Sequence, residues 1–238
     1  MPETMIKLRR SPRKLLERDG HPGPGPGHLA MVLARAGTGK TAFLVDIGLD
    51  ALLAGQRVLH VSLDSTVDKV RAWYDDILTE ILRQEKKLDR WAAIQLDVDR
   101  RRHIHTYLGH SFTIDGLRAN VKMLREHMSF EPQVLLVDDM SDNETNRENV
   151  AAIKELANEM GAELWMTCQT FREGPQAEEG HLPPPASEME DLIDLALRLD
   201  PQDSKIRLHV LKDKNQMINE DLHLVLDPQT NLVSFGTT

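Results

Sequence analysis

The eight residues ARAGTGKT, Ala34 to Thr41, constrain this chain more than any other feature. They stand between an apolar run, Leu29–Leu33 (LAMVL), and the segment TAFLVDIGLDALLAG, whose apolar positions recur at helical spacing until Gly55 stops it. A glycine-rich turn between a buried strand and a helix matches G-x-x-x-x-G-K-[ST], with Ala34 in place of the first glycine. Glycine at 37 and 39 lets the backbone wrap closely around an anion. Successive N–H groups then point inward as a nest, and the helix adds the positive end of its dipole.

That turn predicts a phosphate-binding loop and an α/β chain. Ala36, Gly37, Thr38, Gly39, Lys40, Thr41 and Ala42 are the expected contacts of ATP. Lys40 neutralises β- and γ-phosphate charge, and the Thr41 hydroxyl ligates Mg2+. The rest of the sequence keeps the same rhythm. Arg57–Leu63, Ile104–Tyr107, Gln133–Val137 and Glu163–Thr167 read as strands, and 66–87, Ile114–His127 and Asn149–Gly161 as helices. Residues 88–102 fit neither pattern. Alternating strands and helices imply a mostly parallel sheet covered on both faces. Near the end, Leu195–Leu199, Lys205–Leu211, His223–Leu226 and Leu232–Phe235 follow one another as short strands, which predicts an antiparallel extension at one sheet edge.

With 238 residues, 40% of them hydrophobic, the chain buries a core of its own, and 4% aromatic content makes that core aliphatic. Three segments are expected: a basic arm over 1–20, a Pro/Gly linker over 21–28 (HPGPGPGH), and an ATPase domain over 29–238. In the arm, Lys7, Arg9, Arg10, Arg13, Lys14 and Arg18 meet little opposing charge, and Ser11-Pro12 reads as a helix start. Such an arm is expected to dock on an acidic neighbour, a protein partner or another copy of the chain. A net charge of −9 argues against a general polyanion binder. The single cysteine, Cys168, excludes an intrachain disulfide, and no apolar run is long enough to span a bilayer. The expectation is a soluble cytoplasmic protein.

In open α/β sheets, ligands bind at the carboxyl ends of the strands. Three polar residues are expected there. Asp138, after QVLLV, is the candidate to hold Mg2+ through water, with Asp139 beside it. Asp64, after RVLHVSL, is the candidate to orient and deprotonate an attacking water. Gln169, after ELWMTC, is placed to sense a γ-phosphate.

Together these residues resemble the RecA-like P-loop ATPases, in the branch that holds DnaB-type helicases and KaiC-like ATPases. The likeness runs from about His28 to the C-terminus. It rests on GKTAFLVDIGLDALLAGQRVLHVSLD, QVLLVDD, MTCQT, ASEMEDLIDLALRLD and the tail VLKDKNQMINEDLHLVLDPQTNLVSF. The branch ends its second strand with a catalytic glutamate; here the matching residue is Asp64, about one methylene shorter, which implies slow hydrolysis. It carries a Lys-x-Arg pair that reaches a neighbour's γ-phosphate; here the pair is Lys212 and Lys214, which keeps the charge without the planar fork. The resemblance therefore implies a homo-oligomer, a ring or filament and often a hexamer, with active sites between subunits. It also implies an adenine-stacking residue after Asp64, for which Arg71, Trp73 and Tyr74 are the candidates.

DNA-binding channel loops need cations along the backbone path. MSDNETNREN offers only Arg147, and after Gln169 Arg172 faces Glu173, Glu178 and Glu179. Three readings stay open. One is an ATPase whose nucleotide state drives assembly or controls a partner. The second is a motor on single-stranded DNA using the arm or Arg100-Arg101-Arg102. The third is a nucleotide-binding regulator with little hydrolysis.

Overall fold

The computed structural model describes residues 11–17, 20, 23–109, 111–140, 145–170, 180–202 and 204–236. The chain is α/β. Among these residues the strands are β1 (Leu29–Ala34), β2 (Val58–Ser62), β3 (Arg102–Thr106), β4 (Val134–Asp138), β5 (Glu163–Gln169), β6 (Leu195–Gln202), β7 (Lys205–Asp213), β8 (Gln216–Asp227) and β9 (Leu232–Phe235). The helices are α1 (Pro12–Leu15), α2 (Lys40–Leu53), α3 (Val67–Gln84), α4 (Trp91–Arg101), α5 (Ile114–Met128) and α6 (Arg147–Met160). Two 3-10 segments, Leu88–Arg90 and Ala186–Leu192, complete the set.

All nine strands form one sheet, in the order β3-β2-β4-β5-β1-β6-β7-β8-β9. The first six in that order are parallel, and β7, β8 and β9 are antiparallel. Right-handed crossovers fix where the helices lie. From β1 to β3 the chain moves one way across the sheet, and α2, α3 and α4 pack on one face. From β3 to β6 it returns, and α5, α6 and Ala186–Leu192 cover the other. Side-chain alternation feeds the two cores: Ala30 and Val32 enter the α2 side, while Leu29, Met31 and Leu33 enter the α6 side. Among the described residues no helix is long and apolar enough to cross a membrane.

Several expectations change in detail. Residues 88–102 form a 3-10 turn and α4, whose charged positions hide the two buried anchors Ile94 and Val98. The strand at Leu195 is not antiparallel to the sheet: β6 pairs in parallel with β1, and only from β7 onward does the direction alternate. β8 begins at Gln216, before His223, because its first half is a mostly exposed polar hairpin arm without alternating hydrophobicity.

The described part of the basic arm packs on its own chain. Ser11 caps α1, with its side chain accepting from the Lys14 N–H, and Pro12 takes the first helical position. Leu16 is fully buried. Arg13 donates Nε and Nη2 to the two Glu163 oxygens, at 3.2 and 2.6 Å, and Nη1 to Gln56 Oε1. Ser11 Oγ donates to Asp50 Oδ2 of α2 at 2.5 Å. Lys7, Arg9, Arg10 and Arg18 lie outside the described residues.

Candidate functional site

The carboxyl end of β1 opens directly into the glycine-rich turn. Gly37 and Gly39 take left-handed backbone angles, with φ of +72° and +84°. At Gly39 space is short as well: a Cβ would stand 3.0 Å from Leu226 Cδ2 of β8. Gly39 also precedes α2 without a side-chain cap, and the first helical bond runs from Phe43 N–H to Gly39 O. The N–H groups of Lys40, Thr41 and Ala42 thus have no carbonyl within the helix. Donors grouped at the positive end of a 14-residue helix could hold an anion. The Lys40 ammonium crosses the same turn, 3.3 Å from Arg35 O.

A second polar group stands two strands away. β5 lies between β1 and β4, and it carries Thr167 and Gln169 on the face of α2, the same face as Trp165. Asp138 ends β4 fully buried. Its Oδ1 accepts from Thr167 Oγ1 at 2.7 Å, and its Oδ2 is buried without a partner. A buried carboxylate oxygen in that condition is costly in isolation. Such an oxygen could take a hydrated divalent cation. Among the described residues no group of three His, Cys, Asp or Glu side chains forms a metal cage.

Asp139 follows in the left-handed region, φ +57°, with its N–H donating to Thr167 Oγ1 at 3.1 Å. Burial, then the Asp138 charge, push its carboxyl up to about 6; Lys40 and Lys69 act in the opposite direction, and Asp64 adds to the rise. Lys40, Asp64, Asp138 and Asp139 thus share one electrostatic neighbourhood. Asp64 itself is exposed, two residues beyond β2. Gln169, half-buried, pairs in register with Ala34, where the glycine-rich turn begins.

The adenine candidates separate. Tyr74 is fully buried, with its hydroxyl 3.1 Å from His60 Nδ1 and the Arg102 guanidinium 4.5 Å over its ring. It is a core residue under α2, where a Cβ on Gly48 would meet its hydroxyl at 2.6 Å. Trp73 is half-buried against the same core, and Arg71 is exposed on α3. Beside Tyr74, burial holds the His60 imidazole down to about 4, with Asp138 opposing and Arg102 reinforcing.

Lys212 and Lys214 stand elsewhere. Asp213 pairs with Leu195, and Leu195 with Ala30, so the β7–β8 turn lies at the amino ends of the parallel strands. Four residues of β1 separate that level from Ala34, roughly 13 Å along the strand. Lys212 is buried, and its ammonium donates to Glu190 O and, at 2.7 Å, to Ile193 O. Lys214, with φ +53°, is exposed in the turn, its N–H held by Asp194 O. Neither lysine is near the glycine-rich turn of its own chain.

No family model matches the chain, and no curated protein matches its sequence.

Among the cations considered for nucleic acid, Arg147, Arg101 and Arg102 are paired within the chain, while Arg100 is exposed. Arg147 makes a two-pronged contact with Asp191, at 2.5 and 2.7 Å. Arg101 pairs with Asp97, and Arg102 with Asp99. Arg172, Glu173, Glu178 and Glu179 lie outside the described residues. Two contributors escaped the sequence reading. Thr167 was legible as a polar residue two places before Gln169 on the same strand face. Lys69 carried no signal beyond its place in the first turn of α3.

Proposed function

We propose that this chain is a Mg2+-dependent, RecA-like ATPase that hydrolyses ATP between copies of itself and uses the cycle to drive assembly or control a protein partner. One juxtaposition carries the reading: an uncapped helix start with Lys40, beside a buried carboxylate that keeps one oxygen without a partner. The N–H groups at 39–42 and Lys40 would take the phosphates. Thr41 and Asp138 would hold Mg2+, which supplies charge neutralisation on the transferred phosphoryl group. Asp64, exposed beside Asp139, would orient water, and Gln169 would report the γ-phosphate through β5. Lys212 and Lys214, at the far end of the sheet, would act on a neighbour's nucleotide rather than their own. Of the two, Lys214 is the candidate for that role, because it is exposed and stands where the resembled branch carries its Arg, while Lys212 is buried. The internal pairing of Arg147, Arg101 and Arg102 weighs against a DNA motor.

The test is equilibrium binding of a fluorescent ATP analogue to the wild-type chain and to Lys40→Ala. Losing a charge-assisted contact to phosphate should weaken binding by roughly a hundredfold. Equal affinity in the two proteins would refute nucleotide binding at this loop.

A further inference from the structure

We infer that Thr167 is the positioning residue of the cation site, holding the Asp138 carboxylate so that one oxygen is kept for a divalent cation. The inference rests on the nucleotide-site reading above and adds to it the part that sets its geometry.

Thr167 is 2% exposed, in the middle of the sheet between β4 and β1. A threonine hydroxyl has one proton to give and lone pairs to accept with. Here the proton goes to Asp138 Oδ1 at 2.7 Å, and the oxygen accepts the Asp139 N–H from 3.1 Å. One side chain thus fixes two neighbouring groups. The first bond occupies one carboxylate oxygen and leaves Oδ2 buried and unpartnered. The second satisfies the backbone of Asp139, which holds a left-handed φ of +57° that a side-chain-bearing residue seldom adopts. Without the hydroxyl, Asp138 Oδ1 loses its bond, and the Asp139 N–H loses its acceptor. The carboxylate is then free to turn. Partners that orient a metal-binding side chain typically contribute 10–100-fold to metal affinity.

Thr167→Val keeps the shape and removes both bonds. Nucleotide binding is measured on the full chain with a fluorescent ATP analogue, first in EDTA and then across a Mg2+ titration. The valine variant should need roughly tenfold more Mg2+ for half its effect. Its Mg2+-free affinity should stay within about twofold of wild type, because the phosphate loop is untouched. Thr167→Ser, which retains the hydroxyl, should follow the wild-type curve. An unchanged Mg2+ curve in folded valine variant overturns the inference, as does a serine variant that behaves like valine. A parallel loss of Mg2+-free affinity would mean general damage to the sheet and also overturns it. Should valine not fold, Thr167→Cys takes its place and should shift the Mg2+ curve in the same direction. Wild-type protein that binds no nucleotide at all would instead bring down the underlying function and this inference with it.

Discussion

Asp46 ties the helix behind the glycine-rich turn to β9 through one buried carboxyl. The residue lies on the second turn of α2, 3% exposed, with Oδ2 accepting the Val233 N–H of β9 at 3.1 Å. Burial pushes its carboxyl up to about 8; the Val233 bond opposes this and the Asp50 charge adds to it. The folded chain therefore holds a proton that the unfolded chain, near 3.8, releases. Stability from this group is fully present below about pH 4 and is lost progressively as pH rises toward 8. Asp46→Asn keeps an acceptor for Val233 and carries no proton to lose. Its melting temperature should change less than that of wild type between pH 5 and 8.5, and above pH 8 it should be the more stable protein by on the order of 1 kcal/mol. Thermal unfolding across pH checks this. Parallel curves for the two proteins would show that Asp46 is ionised in the fold.

At the scale of elements, α1 is too short to hold itself, and side chains fix it. Arg13 and Glu163 are 5% and 4% exposed, and the Glu163 carboxylate also accepts from Trp165 Nε1. A buried pair of this kind is strongly penalised when only one partner is removed. Arg13→Ala should cost about 3 kcal/mol in denaturant unfolding, with Ser11–Glu17 becoming protease-sensitive. A loss below about 0.5 kcal/mol would mean that the strap is not closed in solution. The same elements show what the sequence discloses. The loop, α2 and the apolar strands β1, β4 and β5 were legible because glycine punctuation and hydrophobic runs are local signals. The docking of Arg13 on Glu163 was not, since 150 residues separate the partners. The same holds for the parallel pairing of β6: a short apolar strand carries no mark of its direction. In the site, Asp138 and Gln169 were readable as polar strand ends. The Thr167 contact depends on register between β4 and β5, which composition does not encode.

For the whole molecule, the decisive relation is between the two ends of the sheet. The glycine-rich turn and Asp138 occupy the carboxyl end, while the β7–β8 turn with Lys214 occupies the amino end. On the proposed reading, a lysine there stands away from a nucleotide held at its own chain's glycine-rich turn, so a catalytic part for it would require a second copy. On that reading turnover would depend on concentration. Specific ATPase activity should rise with protein concentration and level off where mass measurement shows assembly in ATP and Mg2+. Lys214→Ala should leave nucleotide affinity within about twofold, yet lower the assembled turnover by at least roughly tenfold, as expected for a cation acting on the transition state. Mixed with wild type, it should depress activity by more than its share, since each altered chain faces a neighbour's site. Activity per chain that is constant from dilute monomer to the highest concentration would assign hydrolysis to the single chain. Lys214 would then be an exposed hairpin residue, and Asp64 and Asp139, already beside the loop, would carry the reaction alone.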